Sequence, residues 1–310
     1  MELSGVRGLA RFPSNRNLKR KYCMRHRAAL FAIFGGMGMT LAAGGLRGDE
    51  KLRDEPDWVE SMAAVHARFK GQRGTFAHFG DSITVSMAFW SPLQSEPKEM
   101  STAAARAHRR VKEYMVADCW SRWKGPEYGN EGGMTIRWAQ QNVDDWLKRL
   151  NPEVALIMFG TNDLRQFDLD EYKQQTAQVV RRCLKNGTVV ILSTIPPRSG
   201  MLKESRMFAD AAAAVARAER VPLIDYFGEI LRRRHDDWDG SLKQFTDVPG
   251  DEYQVPTLIA RDGVHPSNPQ SDAGNFSEQT LSRSGYALRN YMVLLAYSRV
   301  IDRVLEASAE

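Results

Sequence analysis

Four short apolar runs recur along this chain, at residues 75–79, 154–159, 188–193 and 221–224, and each breaks off at a glycine, a proline pair or a polar turn. Segments of helical period separate them, most clearly Ile136–Leu150, 172–184 and the alanine-rich 205–219. A run that is apolar throughout and only four to six residues long reads as a strand buried on both faces. Such strands pair in parallel, and a parallel pair needs a long crossover, which the intervening helices supply. The spacing therefore predicts an α/β fold with a central parallel sheet. Further helices are predicted over 58–69, within 98–124 and over 285–305, with a short apolar stretch at 257–260. In open sheets of this kind, ligands bind beyond the C-terminal strand ends. Three polar or glycine-bearing segments follow apolar runs in that way: 80–84, 160–163 and 262–267.

The charge is unevenly placed. Of a net +5 over 310 residues, residues 1–28 hold eight basic side chains against Glu2 alone, a charge of +7. The other 282 residues carry 35 basic and 37 acidic side chains, or −2. The basicity belongs to a leader, so no nucleic-acid surface is expected. The uncharged run 28–43 follows the basic cluster 19–27 and gives way to Ala42, Ala43, Gly44 and Gly45, a secretory signal pattern. A start at Met24 would make that signal compact. Left uncut, the same run would act as a membrane anchor with residues 1–27 on the cytoplasmic side. No cysteine sits at its exit, which argues against a lipid-attached form. The expected organisation is a leader over 1–45, a polar linker over 46–57 and a single domain over 58–310. The chain would be exported to the periplasm or the extracellular space, or anchored to the membrane. Hydrophobic residues at 43% exclude wholesale disorder, and the body is too polar for a polytopic membrane protein. Cys23, Cys119 and Cys183 form neither a disulfide framework nor a zinc-ligand pattern and read as independent thiols.

Four segments carry chemistry. Ser82 lies in a Gly-Asp-Ser turn at a strand-to-helix junction, where its hydroxyl can project into a cleft. His265 follows Asp262 by three residues on a loop closed by Pro266, a spacing that lets the carboxylate fix the imidazole tautomer and leave the other nitrogen as a base. Asn162 offers an amide donor, and Gly133 a backbone N–H with no side chain in the way. Together with the Ser82 N–H they make a candidate oxyanion hole. Seen singly, each has an ordinary explanation: a helix N-cap, a surface histidine, an Asx turn, a glycine loop. The remaining histidines are scattered, and His78 is expected to pack within or beside the first strand. No metal or organic cofactor is expected.

Taken in order, the segments Gly80-Asp81-Ser82-Ile83-Thr84, Gly132-Gly133-Met134-Thr135, Gly160-Thr161-Asn162-Asp163 and Asp262-Gly263-Val264-His265 resemble the four blocks of the SGNH hydrolases, the GDSL esterase/lipase family. The resemblance spans about residues 75–305. It implies a three-layer sandwich with a central parallel sheet, the flavodoxin-like SGNH hydrolase fold. It implies Ser82 as nucleophile, His265 as base, Asp262 as its partner, and Gly133 and Asn162 as oxyanion donors. Asp81 and Asp163 then serve the turns. The chain departs from the family in the second block, which often reads Ser-Gly-Asp-Thr. It departs again in a long segment at 85–128, and in an insert at 268–283 that separates His265-Pro266 from Gly285-Tyr286. Trp90, Trp120, Trp123 and Tyr128, near the long segment, could stack on sugar rings or simply pack. Arg232-Arg233-Arg234 reads as a solvated helix end. The implied activity is hydrolysis of carboxylic esters through an acyl-enzyme, on a small-molecule, glycan or lipid ester. De-acetylation of a carbohydrate is the favoured reading. A lysophospholipase-like acylhydrolase and an acyltransferase to a sugar hydroxyl are the alternatives, and the oligomeric state is left open.

Overall fold

Four parallel strands form the centre: β1 (Phe76–Gly80), β2 (Val154–Met158), β3 (Val189–Ser193) and β4 (Leu223–Ile224), paired in the order β1-β2-β3-β4. Phe76 lies opposite Val154, Val154 opposite Val189, and Leu192 opposite Leu223. The computed structural model describes residues 57–307 except 166, 167 and 273. The run at 28–43, with its expected signal or anchor, lies outside the described residues. Among those described, no helix is long and apolar enough to cross a membrane.

Every residue of β1, β2 and β3 is buried, which explains their continuous rather than alternating apolar pattern. The crossovers run through α4 (Ile136–Leu150), α5 (Leu169–Asn186) and α6 (Leu202–Glu219). When strands follow one another in chain order, right-handed crossovers place all their helices on one face. Accordingly α4 packs on α5 and α5 on α6. The other face is covered by α1 (Asp57–His66) against β3 and α9 (Gly285–Val300) against β4. Around α9 gather α3 (Thr102–Tyr114), α7 (Tyr226–Arg233) and α8 (Glu278–Leu281). That covering accounts for the weak amphipathicity of α9, most of whose residues are buried. The three-layer sandwich is thus complete.

On the outer side of β1 a further strand is reduced to one parallel bridge between Gly80 and Asn130. The Gly80 N–H donates to Gly129 O at 3.0 Å, and Glu131 N–H to Gly80 O at 3.2 Å. Gly129 is required here: its φ is +83°, and a Cβ would stand 2.4 Å from the Phe79 ring.

Several boundaries differ from the periodicity, each for a local reason. Only Thr102–Tyr114 of the segment 98–124 is α-helical. Ser101 caps its start, and it ends where the Val116 N–H turns to Gly74 O at 2.8 Å, tying the chain to the entry of β1. Asp168 accepts the Glu171 N–H at 2.9 Å and so starts α5 three residues early. Of the arginine triplet only Arg232 is solvated. Arg233 pairs with Glu229 and Glu278, and Arg234 pairs with Asp237 and donates to Pro256 O at 2.6 Å. At the N-terminal end of the sheet, the fully buried carboxylate of Glu153 accepts from Gly74 N–H at 2.6 Å and Tyr114 hydroxyl at 2.9 Å, and pairs with His66 Nε2 at 2.8 Å.

Candidate active site

At the C-terminal end of β1 the chain turns at Asp81, whose buried carboxylate accepts the Ile83 N–H at 3.0 Å and caps a four-residue helix, α2 (Ser82–Val85). Ser82 is therefore the first residue of that helix, not its cap. Its Oγ lies 2.9 Å from His265 Nε2. The other imidazole nitrogen, Nδ1, is hydrogen-bonded to Asp262 Oδ2. The remaining oxygen of Asp262 accepts the N–H groups of Val264 and His265, both at 2.9 Å, so one carboxylate both shapes the loop and orients the ring. Ala260 N–H closes the loop on His265 O at 2.8 Å. Three side chains separated by up to 183 positions thus meet at one end of the sheet.

Burial pushes the Asp262 carboxyl up, but the imidazole and the two loop N–H groups outweigh it and hold the group below the usual carboxylate range. The hydrogen bond that the imidazole donates to Asp262 raises His265 above the ordinary imidazole value. Burial raises Asp81 to about 6 and Asp163 to about 7. The ring edge of Tyr253 approaches His265, with centroids 6.0 Å apart.

The second and third segments are tied to each other. The Asn162 amide donates to Met134 O at 3.0 Å, while Ile136 N–H donates to Asp163 at 3.1 Å and so starts α4. Asn162 Nδ2 also stands 3.5 Å from Asp81 Oδ2, at the outer limit of a hydrogen bond. Gly133 adopts φ +78° with open space beside it. A Cβ built on Gly132 would lie 4.0 Å from Ser82 Cβ, whereas one built on Gly133 meets nothing within 4 Å.

The aromatics of the long segment separate into two groups. Trp90 and Trp120 stack on each other in the core, so they offer no face to a sugar. Trp123 and Tyr128, only partly buried, stack on each other with centroids 6.1 Å apart. His78 packs as expected within β1, against Phe76, Phe89 and Trp90. The insert 268–283 loops out and returns Gly285-Tyr286 to the catalytic loop: Gly285 N–H donates to Ser267 Oγ at 3.1 Å, and Tyr286 N–H to Ser267 O at 3.0 Å. The two insertions also meet, through a bridge between Lys98 and Asn275.

Sequence reasoning missed the side chains that bind the segment after Ser82, Lys124, Arg289 and Asn290. The available signal was a charged residue, Arg289, within the otherwise apolar stretch 285–297. Among the described residues no cluster of His, Cys, Asp and Glu is arranged to hold a metal ion.

The family model described as GDSL-like lipase/acylhydrolase matches residues 78–270. No curated protein matches the chain. Among solved structures, a lipase/acylhydrolase from Enterococcus faecalis is 15% identical, covering 72% of this chain and 95% of its own, with a TM-score of 0.44. A psychrotrophic esterase from Pseudoalteromonas sp. is 14% identical over 73% of this chain and 98% of its own, with a TM-score of 0.45. A catalytic mutant of an acetylxylan esterase from Geobacillus stearothermophilus is 15% identical over 72% and 96%, with a TM-score of 0.41.

Proposed function

The chain belongs to the GDSL-like lipase/acylhydrolase family and is an ester hydrolase of the SGNH type; from that premise we propose that it transfers the acyl group of a small carbohydrate ester to water, with Ser82 as nucleophile. The observation that carries this reading is the 2.9 Å contact between Ser82 Oγ and His265 Nε2, with Asp262 on the far nitrogen. His265 takes the hydroxyl proton as Oγ bonds to the ester carbonyl carbon. Asp262 stabilises the resulting imidazolium. The negative charge on the carbonyl oxygen is received by the Ser82 N–H, by a glycine N–H of the 132–133 loop and by an Asn162 N–H. Collapse breaks the ester C–O bond, and His265 returns the proton to the leaving alkoxide. Water then gives a proton to His265 as its oxygen bonds to the acyl carbon; the bond to Ser82 Oγ breaks, His265 returns the proton to Oγ, and the acid leaves.

The polar surroundings support a small acyl group on a polar alcohol. The loop carrying Tyr253 holds Asp247, Asp251, Glu252 and Gln254, and it is tied to both ends of the segment bearing His265, by Arg261 N–H to Glu252 O at 2.9 Å and Asn268 N–H to Tyr253 O at 2.8 Å. The proposed organisation is an exported chain whose leader, residues 1–45, and linker, 46–57, precede one catalytic domain.

The test is a chain-length series of aryl esters beside acetylated sugars, with Ser82→Ala as control. We expect preference for acetyl and a loss in S82A of at least about 10⁴-fold in kcat. Preference for medium chains would overturn the carbohydrate reading in favour of a lipid acyl ester. Product formed only with an acceptor alcohol present would make the protein a transferase. An S82A variant with wild-type turnover would remove the nucleophile assignment.

A further inference from the structure

Two cations, the partly buried Lys124 and the fully buried Arg289, have no carboxylate within ion-pair distance among the described residues, and both direct their donors to the segment that follows Ser82. From α9, Arg289 donates Nη1 to Ile83 O at 2.7 Å and Nη2 to Thr84 Oγ1 at 2.9 Å, with its guanidinium 3.7 Å from the centre of the Phe89 ring. Lys124 Nζ donates to Thr84 O at 2.7 Å, Ser86 O at 3.2 Å and Phe89 O at 3.3 Å. The neighbour of Arg289, Asn290, accepts the Trp90 N–H at 2.8 Å and donates to Ala88 O at 3.0 Å. Three side chains from two distant parts of the chain thus hold residues 83–90 along nearly their whole length.

This is an unfavourable way to gain stability alone. A buried cation loses its hydration, and an apolar side chain of similar size commonly does as well or better. What the cations supply is direction. A four-residue helix makes barely one turn and cannot hold its own orientation. Carbonyls bound to fixed cations at its C-terminal end leave it little freedom, and Ser82 sits at the other end.

We propose that Lys124 is a positioning residue which, with Arg289, fixes α2 so that Ser82 Oγ stays in line with His265 Nε2; this rests on Ser82 being the nucleophile. It also assigns a task to the long insertion. The chain leaves the nucleophile's helix at Ser86, packs α3 against α9, and returns at Lys124 to the carbonyls it left.

The test compares Lys124→Met, Lys124→Arg and Arg289→Lys with the wild type and S82A in the full chain, using an aryl acetate. Four quantities are read: kcat, KM, the rate at which a fluorophosphonate labels Ser82, and the midpoint of thermal unfolding. A displaced nucleophile lowers kcat by about 10- to 100-fold. We expect that loss in K124M with KM unchanged, a parallel slowing of labelling in the folded protein, and recovery of most of both rates in K124R. If K124M does not fold, R289K, which keeps the charge but loses part of the fork, is expected to show the same split. Wild-type kcat and labelling in folded K124M, or losses that follow the unfolded fraction alone, would overturn the proposal while S82A stays inactive. Turnover retained in S82A would overturn the nucleophile assignment and this proposal with it.

Discussion

In the proposed mechanism His265 serves catalysis and stability with opposite pH dependence. As a base it acts only when neutral, so kcat/KM falls as pH drops through its raised pKa. In the fold the protonated ring is favoured by Asp262. The stability this adds is fully present below the unfolded value of about 6.5 and is lost as pH rises through the folded one. Removing the partner in Asp262→Asn should move the acid limb of kcat/KM to lower pH and lower the plateau by about 10⁴-fold, read from a pH–rate profile. Asp163 has the same sign for a different cause. Burial raises its carboxyl from 3.8 to about 7, so its contribution is complete below about 4 and lost as pH rises through about 7. Asp163→Asn keeps an acceptor for the Ile136 N–H and cannot ionise. Its urea midpoint, measured against wild type at pH 5 and pH 8, should compare more favourably at pH 8. The residues that meet at Ser82 were legible because each sits in a short polar block directly after an apolar run. Lys124 was not, because its role depends on a carbonyl forty positions away.

At the scale of elements, the strands and the crossover helices follow from periodicity, while their ends follow from contacts that periodicity does not contain. The close of α3 depends on Gly74, the start of α4 on Asp163, and the start of α5 on Asp168. The junction between the catalytic loop and α9 is tighter than any pattern reveals. A Cβ on Gly285 would stand 2.0 Å from Leu258 O and 2.8 Å from the Pro266 side chain. Gly285→Ala should therefore lose about 3 kcal/mol of stability. Because Pro266 follows His265, the folded fraction should also show a lower kcat; thermal unfolding and active-site titration separate the two effects.

For the whole molecule, the proposed catalytic site and the buried Glu153 network lie at opposite ends of one sheet. The Ser82, Asn162 and His265 segments gather beyond the C-terminal ends, while Glu153 joins α1, α3 and the entries of β1 and β2 at the N-terminal ends. Glu153→Ala leaves buried donors without an acceptor and should lose about 3 kcal/mol, with kcat per folded molecule unchanged. Denaturant unfolding beside kinetics at low temperature would check both halves. The layered architecture was legible from the order of runs and helices. The reduction of one outer strand to the Gly80–Asn130 bridge was not, since a bridge leaves no alternating pattern to read. The outer edge of β1 is closed by other groups instead, Phe76 N–H donating to Cys119 Sγ at 3.4 Å and Asn130 Nδ2 to His78 O at 3.0 Å, and the opposite margin is a β4 of only two residues. A stray extended peptide finds too few vacant amides to template on. Protection against fibrillar growth is thus built into the margins themselves.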